Sequence, residues 1–110
     1  MQIILANLKK ITVKEITEEY FDTKVYNNSG ILDSKIKGFI RFTAGKDIIL
    51  HQIYVHSDHR KEGVGSTMIE VLKKQKKKII TFSNTNDTEI FGIFLISQGF
   101  KYTENKRWEL

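Results

Sequence analysis

Ile53-Tyr54-Val55-His56-Ser57-Asp58-His59-Arg60-Lys61-Glu62-Gly63-Val64-Gly65-Ser66 is the stretch that decides the fold. Its first residues are β-branched or aromatic, the composition of a strand. A polar loop follows, then two glycines one residue apart. Met68, Ile69, Val71 and Leu72 then recur with helical spacing. Glycine lets backbone approach a ligand with no Cβ in the way. The first amides of a helix have no internal partner and point outward, and the positive end of the helix dipole favours an anion. Successive amides from Glu62 to Gly65, with the hydroxyls of Ser66 and Thr67, can therefore cradle a phosphate. The same pattern also serves a tight strand-to-helix turn whose glycines are needed for packing alone. It is neither a Walker loop, which needs Lys beside Ser or Thr, nor a dinucleotide fingerprint, which needs a third glycine.

Working outward, Ile48 to Val55 reads as a dense apolar strand with polar breaks at His51 and Gln52. Thr43-Ala44-Gly45-Lys46 is the hairpin loop before it, and Ile36 to Phe42 is a further strand. On the other side, Lys73 to Lys78 ends the helix where cations are favoured, and Ile79 to Phe82 is a buried strand. Ser83 to Thr88 is a loop with Asp87 or Thr88 as helix cap. Ile90 to Gln98 is a helix with Gly99 just past its end. Phe100 to Leu110 reads as one extended segment. At the N-terminus Gln2 to Leu8 is a strand. Thr12 and Glu15 form a capping box, with Val13, Ile16, Tyr20 and Phe21 at helical spacing. Asn27 to Gly30 and Asp33-Ser34 are turns. The expected fold is α/β of the α+β kind: a mixed, mostly antiparallel sheet of about six strands flanked by about three helices.

The length of 110 residues suits one domain, 1–110. The absence of cysteine excludes disulfides, thiolate zinc sites and cysteine nucleophiles. No apolar run approaches the ~20 residues of a membrane span and no signal peptide is visible, so a cytoplasmic, membrane-free protein is expected. No spacing of His, Asp and Glu resembles a metal site. The net charge is +5, and the stretch 60–78 carries the whole excess, with seven basic and two acidic side chains. Local positive charge suits a polyanionic partner. Nucleic acid is not the expected one, because no aromatic platform is interleaved with the lysines.

Arg60-Lys61-Glu62-Gly63-Val64-Gly65, the spacing Arg-x-x-Gly-x-Gly after a strand, resembles motif A of the GNAT superfamily of acyl-CoA-dependent N-acyltransferases. Lys35-Ile36-Lys37-Gly38-Phe39-Ile40 looks like the family's third strand, and Phe94-Leu95-Ile96-Ser97-Gln98-Gly99-Phe100 like its last helix with a Gly-Phe ending. The three come in family order and cover roughly residues 30–102. The resemblance implies a GNAT-like fold in a compact form, with one N-terminal helix and one terminal strand where the family has two of each. It implies acetyl-CoA as co-substrate and an amine of a small molecule or protein as acceptor. It implies that Arg60, Lys61, Glu62, Gly63, Val64, Gly65, Ser66 and Thr67 hold the pyrophosphate. It implies also that the backbone of Ile53, Tyr54 and Val55 pairs with the pantetheine arm where the fourth and fifth strands splay apart.

The sequence departs from the family at the acid. Many members carry a tyrosine four residues before the Gly of Gly-Phe, to protonate the departing thiolate; here that residue is Leu95. Ser97 and Tyr102 are the nearest polar residues. Many members place Glu on the fourth strand as base; this strand offers His51 and Tyr54, and His51 has the pKa range suited to an ammonium near neutrality. A non-catalytic acyl-CoA-binding or protein-interaction module on the same fold is the alternative. The helix Ile90 to Ile96, apolar nearly all round, suggests burial in the core or a homodimer contact.

Overall fold

The fold was read from a computed structural model that describes residues 2–7, 13–17 and 36–110. Strands β1 (Gln2–Asn7), β2 (Val13–Thr17), β3 (Ile36–Ala44) and β4 (Ile48–Val55) lead through a 3-10 turn at Ser57–His59 into helix α1 (Val64–Lys73). Strand β5 (Ile79–Phe82), helix α2 (Ile90–Ser97) and the short strands β6 (Lys101–Tyr102) and β7 (Arg107–Glu109) follow. The described strands form one seven-stranded sheet in the order β2-β1-β3-β4-β5-β7-β6. Only β4 and β5 run parallel, joined by the α1 crossover; the other pairs are antiparallel.

The apolar pattern explains this layering. β1 is buried on both faces: Ile4 and Ala6 join the core shared with the helices, while Ile3 and Leu5 join Ile36, Phe39 and Tyr54 on the other face. Helix α1 buries Val64, Met68, Ile69 and Leu72, one helical face, against Ile40, Phe42, Ile48 and Leu50 of the sheet. Leu95 of α2 is fully buried in the same core.

The mixed, mostly antiparallel sheet is as the sequence led us to expect. The helical reading from Thr12 is not: Val13–Thr17 is a strand, paired along β1 from Ala6↔Val13 to Gln2↔Thr17. Three of those five residues are β-branched, and pairing with a neighbour outweighs a local capping pattern. Two α-helices, not three, lie among the described residues. Tyr20, Phe21 and the turns at 27–30 and 33–34 lie outside them.

The C-terminal segment is two strands rather than one. Arg107 N–H donates to Glu104 O at 2.9 Å, with Asn105 at φ 51 and Lys106 at φ 65. Positive φ at both central residues makes a type I′ hairpin turn, and Tyr102 then pairs across to Trp108. Neither Asp87 nor Thr88 caps α2. The cap position is Glu89, without a side-chain bond, and Asn86 Oδ1 accepts from the amides of Thr88 and Glu89 instead. Gly99 ends the helix at φ 98. α2 is buried on one side only, since Ile90, Ile93 and Ile96 remain exposed.

Candidate functional site

The site begins where β4 loses a neighbour. Ile48, Ile49 and Leu50 pair with Ile79, Ile80 and Thr81 of β5, and the pairing then stops. Thr81, itself buried, closes the last rung by donating its hydroxyl to Leu50 O at 3.0 Å. β5 is flanked by β7 from Ile80 onward, and at Phe82, paired with Arg107, β7 is its one neighbour in the sheet. Residues 52–55 of β4 stay paired with β3 alone. A cleft of about 280 Å³ opens between the parted strands, with His51, Gln52 and Ile53 on one wall and Phe82, Ser83 and Phe91 on the other.

A β-bulge sets which way the open segment faces. Arg41 pairs with Gln52 but Phe42 with Leu50, so His51 is the extra residue. Leu50 and Ile53 consequently pack into the same helix-side core although they are three apart. His51 Nε2 lies 2.6 Å from Thr43 Oγ1. Phe42 points to the helices, so its neighbour Thr43 stands on the opposite face. Tyr54 is on that far face too, stacked on Phe39 with ring centroids 5.7 Å apart; His51, not Tyr54, lines the cleft.

β4 feeds into the glycine turn. Arg60 Nε donates to Val55 O at 3.1 Å and ties the loop to the strand end. Lys61 (φ 66) and Gly63 (φ 82) both take the left-handed region. Around Gly63 the space is open, with no atom within 4 Å of where a Cβ would stand. It occupies the cap position of α1 and no side chain caps the helix amides behind it. An open, uncapped helix start next to Arg60 and Lys61 fits a diphosphate.

Gly65 has a different role: a Cβ there would meet the Phe94 ring at 3.0 Å, so this glycine lets α1 approach α2. Val64 is buried in the core and offers only its backbone. Thr67 bonds back along the helix, donating its hydroxyl to Gly63 O at 2.8 Å. Ser66 accepts from Gln98 Nε2 at 2.8 Å and keeps its own proton.

Glu62, the acidic residue of the turn, is held away from any anion by His59 Nδ1 at 3.2 Å and Lys37 Nζ at 3.5 Å. Desolvation raises its pKa, but the hydrogen bonds and charges of His59 and Lys37 together outweigh this and bring it below the ordinary carboxylate value. His56 caps the 3-10 turn, its Nδ1 accepting from the Asp58 amide. Among the described residues no group of three or more His, Asp or Glu could hold a metal.

Leu95, at the family's acid position, is fully buried. Ser97 donates its hydroxyl to Phe94 O at 2.6 Å, and Tyr102 lines a different cavity. Ser83 is the hydroxyl that sequence reasoning missed. It stands one residue past β5 on the cleft wall, and its Oγ accepts from the Thr85 amide at 3.2 Å, leaving its proton to donate. The signal available was its place directly after the splaying strand.

Residues 24–102 match the model of the acetyltransferase (GNAT) domain. No curated protein sequence matches the chain. Among solved structures, that of E. coli YhhK bound to coenzyme A aligns over 99% of this chain and 98% of its own, at 17% identity and a TM-score of 0.61. The PaiA N-acetyltransferase of Thermoplasma acidophilum, in complex with coenzyme A, aligns over 72% of this chain and 54% of its own, at 18% identity and 0.54. The anti-CRISPR protein AcrVA5 aligns over 67% of this chain and 90% of its own, at 20% identity and 0.53. At such identities these likenesses speak for the fold.

Proposed function

The chain belongs to the GNAT acetyltransferase family, and from that premise we propose that it transfers an acetyl group from acetyl-CoA to an amine of a small molecule or protein. The observation that carries this reading is the loss of β4's second partner after Leu50, which leaves an open backbone edge leading to the uncapped turn. The peptide groups of Ile53, Tyr54 and Val55 would pair with the pantetheine amides as an added strand does. The amides around Glu62 to Gly65, with Arg60 and Lys61, would hold the diphosphate. Bound acetyl-CoA supplies the thioester carbon that the amine attacks.

An amine acceptor is mostly ammonium near neutrality and must lose a proton first. His51 would take it, directly or through water. That role needs the tautomer in which Nε2–H donates to Thr43 Oγ1, so that Nδ1 carries the free lone pair. The departing thiolate needs a hydrogen-bond donor, and the Ser83 hydroxyl at the cleft takes the place that Leu95 cannot fill. One observation favours a second reading, an acyl-CoA-binding module without efficient chemistry: Leu95 is sealed in the core and has no proton to give. General acid catalysis contributes about 10²–10⁴ in rate, so its loss slows transfer without forbidding it.

Thermal melting with acetyl-CoA, followed by acetyl transfer to a panel of amines, tests the proposal. Ligand at 100 times its Kd adds about 2.7 kcal/mol of stability, which raises the melting temperature of a domain this size by about 10 °C. An unmoved curve at millimolar acetyl-CoA would sink both readings; a shift with no transfer to any amine would leave the binding module. Gly63→Asn is the informative control, because the position opens to solvent and asparagine tolerates its left-handed φ, whereas Gly65→Val would first push Phe94 out of place.

A further inference from the structure

On the other side of the β5–α2 loop lies a larger cavity, about 690 Å³, that the chemistry above does not use. Trp108, almost wholly buried, forms part of its wall. Tyr102 stands edge-on to that ring, centroids 5.4 Å apart, and is half-exposed. Its oxygen accepts from the Lys106 amide, which leaves the phenol proton to donate. Lys101 and Lys106 line the cavity with Asp87 as the acidic residue, an excess of one positive charge. No ion pair ties either ammonium to a described carboxylate, unlike Lys37, Lys73 and Lys78. Ser83 borders this cavity and the cleft alike.

We propose that this cavity binds a small monoanion, a carboxylate carried on an aromatic or apolar body, and that this is the anchoring end of the acceptor. The volume is that of an ordinary small-molecule site, which pairs apolar walls with a few placed polar groups. The carboxylate meets the two lysines and the Tyr102 phenol proton, the body lies against the Tyr102 and Trp108 rings, and an amine on the same molecule reaches past Ser83 toward the thioester. The last clause rests on the acyltransferase reading; the binding itself does not.

Trp108 is the single tryptophan of the chain, so its fluorescence reports on this cavity without turnover. Three probes of one shape separate the parts: 3-phenylpropionate has the carboxylate and no amine, phenethylamine the amine and no carboxylate, phenylalanine both. Saturable changes in emission are expected with phenylpropionate and phenylalanine, and binding about ten-fold weaker or worse with phenethylamine. The double variant Lys101→Met, Lys106→Met should bring the three to a similar weak level. Equal binding of all three to the native protein, or none at millimolar concentration, overturns the proposal. Binding as expected by a protein whose melting curve ignores acetyl-CoA would retain the cavity and discard the acyltransferase reading. A protein that responds to acetyl-CoA but to none of the probes would do the reverse.

Discussion

The first three residues of β4 and its last five are one strand with two lives. Ile48, Ile49 and Leu50 are hydrogen-bonded on both edges, by β3 and by β5, and Ile48 and Leu50 are essentially inaccessible to solvent. From His51 to Val55 one edge is bare and every residue is at least partly exposed. The side chains change at the boundary too, from Ile48-Ile49-Leu50 to His51-Gln52-Ile53-Tyr54-Val55, which starts with two polar residues. The neighbour changes with them: β5 pairs with β4 only as far as Thr81 and keeps β7 alone at Phe82, and the bulge at His51 re-aims β4. A rigid paired base holding an open edge is what a site built on a strand needs, because the backbone groups that meet the ligand are already fixed in place.

The largest expected effect tests whether stability and binding separate along β4. Ile48→Ala removes a fully buried side chain and should cost about 2–5 kcal/mol. Ile53→Ala, in the open segment, should cost less than about 2 kcal/mol. Urea unfolding measures both. Equal costs would mean that the open segment is as much core as the closed one, and the comparison would fail.

Next in size is His51→Gln. If the bulge exists to present this imidazole, kcat/KM should fall by about 10², the rising limb of its pH profile should flatten, and the acetyl-CoA melting shift should persist. A variant within a few-fold of the native protein would remove His51 from the reaction and leave the free amine or bulk water as the route.

That His51 faces Thr43 could not be read from the sequence. A bulge leaves no residue signature here, and alternation counted from Ile48 fails at the extra residue. The turn, by contrast, was legible from its two glycines, of which Gly63 sits at positive φ; their division of labour was not, since Gly65 answers to Phe94, 29 positions away. The strand at Val13–Thr17 was hidden by a capping pattern that β1 overrides. The terminal hairpin was hidden because its turn puts Lys106 at positive φ, where a turn signal would ordinarily show glycine. Ile79–Phe82 and α2 were legible to within a residue, because each is short, apolar and bounded by polar loops.

A smaller effect tests the point where the two segments meet. Thr81→Val keeps the shape of the side chain and deletes its bond to Leu50 O; the cost should be about 1 kcal/mol, read as a lower urea midpoint. The acetyl-CoA melting shift should survive, because the rung belongs to the paired base. Loss of that shift would show that the apex of the cleft itself holds the ligand.

The smallest expected effect concerns what holds the open end. The paired base is held by burial, while the turn beyond Val55 is held by Lys37, Glu62 and His59 at the surface. Glu62 has its pKa lowered from an ordinary 4.5. A carboxyl lowered on folding adds stability that is complete above the unfolded value and is lost as pH falls through the folded one. The difference in melting temperature between the native protein and Glu62→Gln should therefore shrink as pH falls below about 4.5. Glu109 is lowered as well, first by its hydrogen bond from Lys78, but it is common to both proteins and cancels in the difference. The difference should be small throughout, because pairs this exposed contribute little, and salt should reduce it further. A difference that stays constant from neutral pH down to about pH 3 would show that Glu62 acts through packing rather than charge. The turn would then be held in the same way as the paired half of β4.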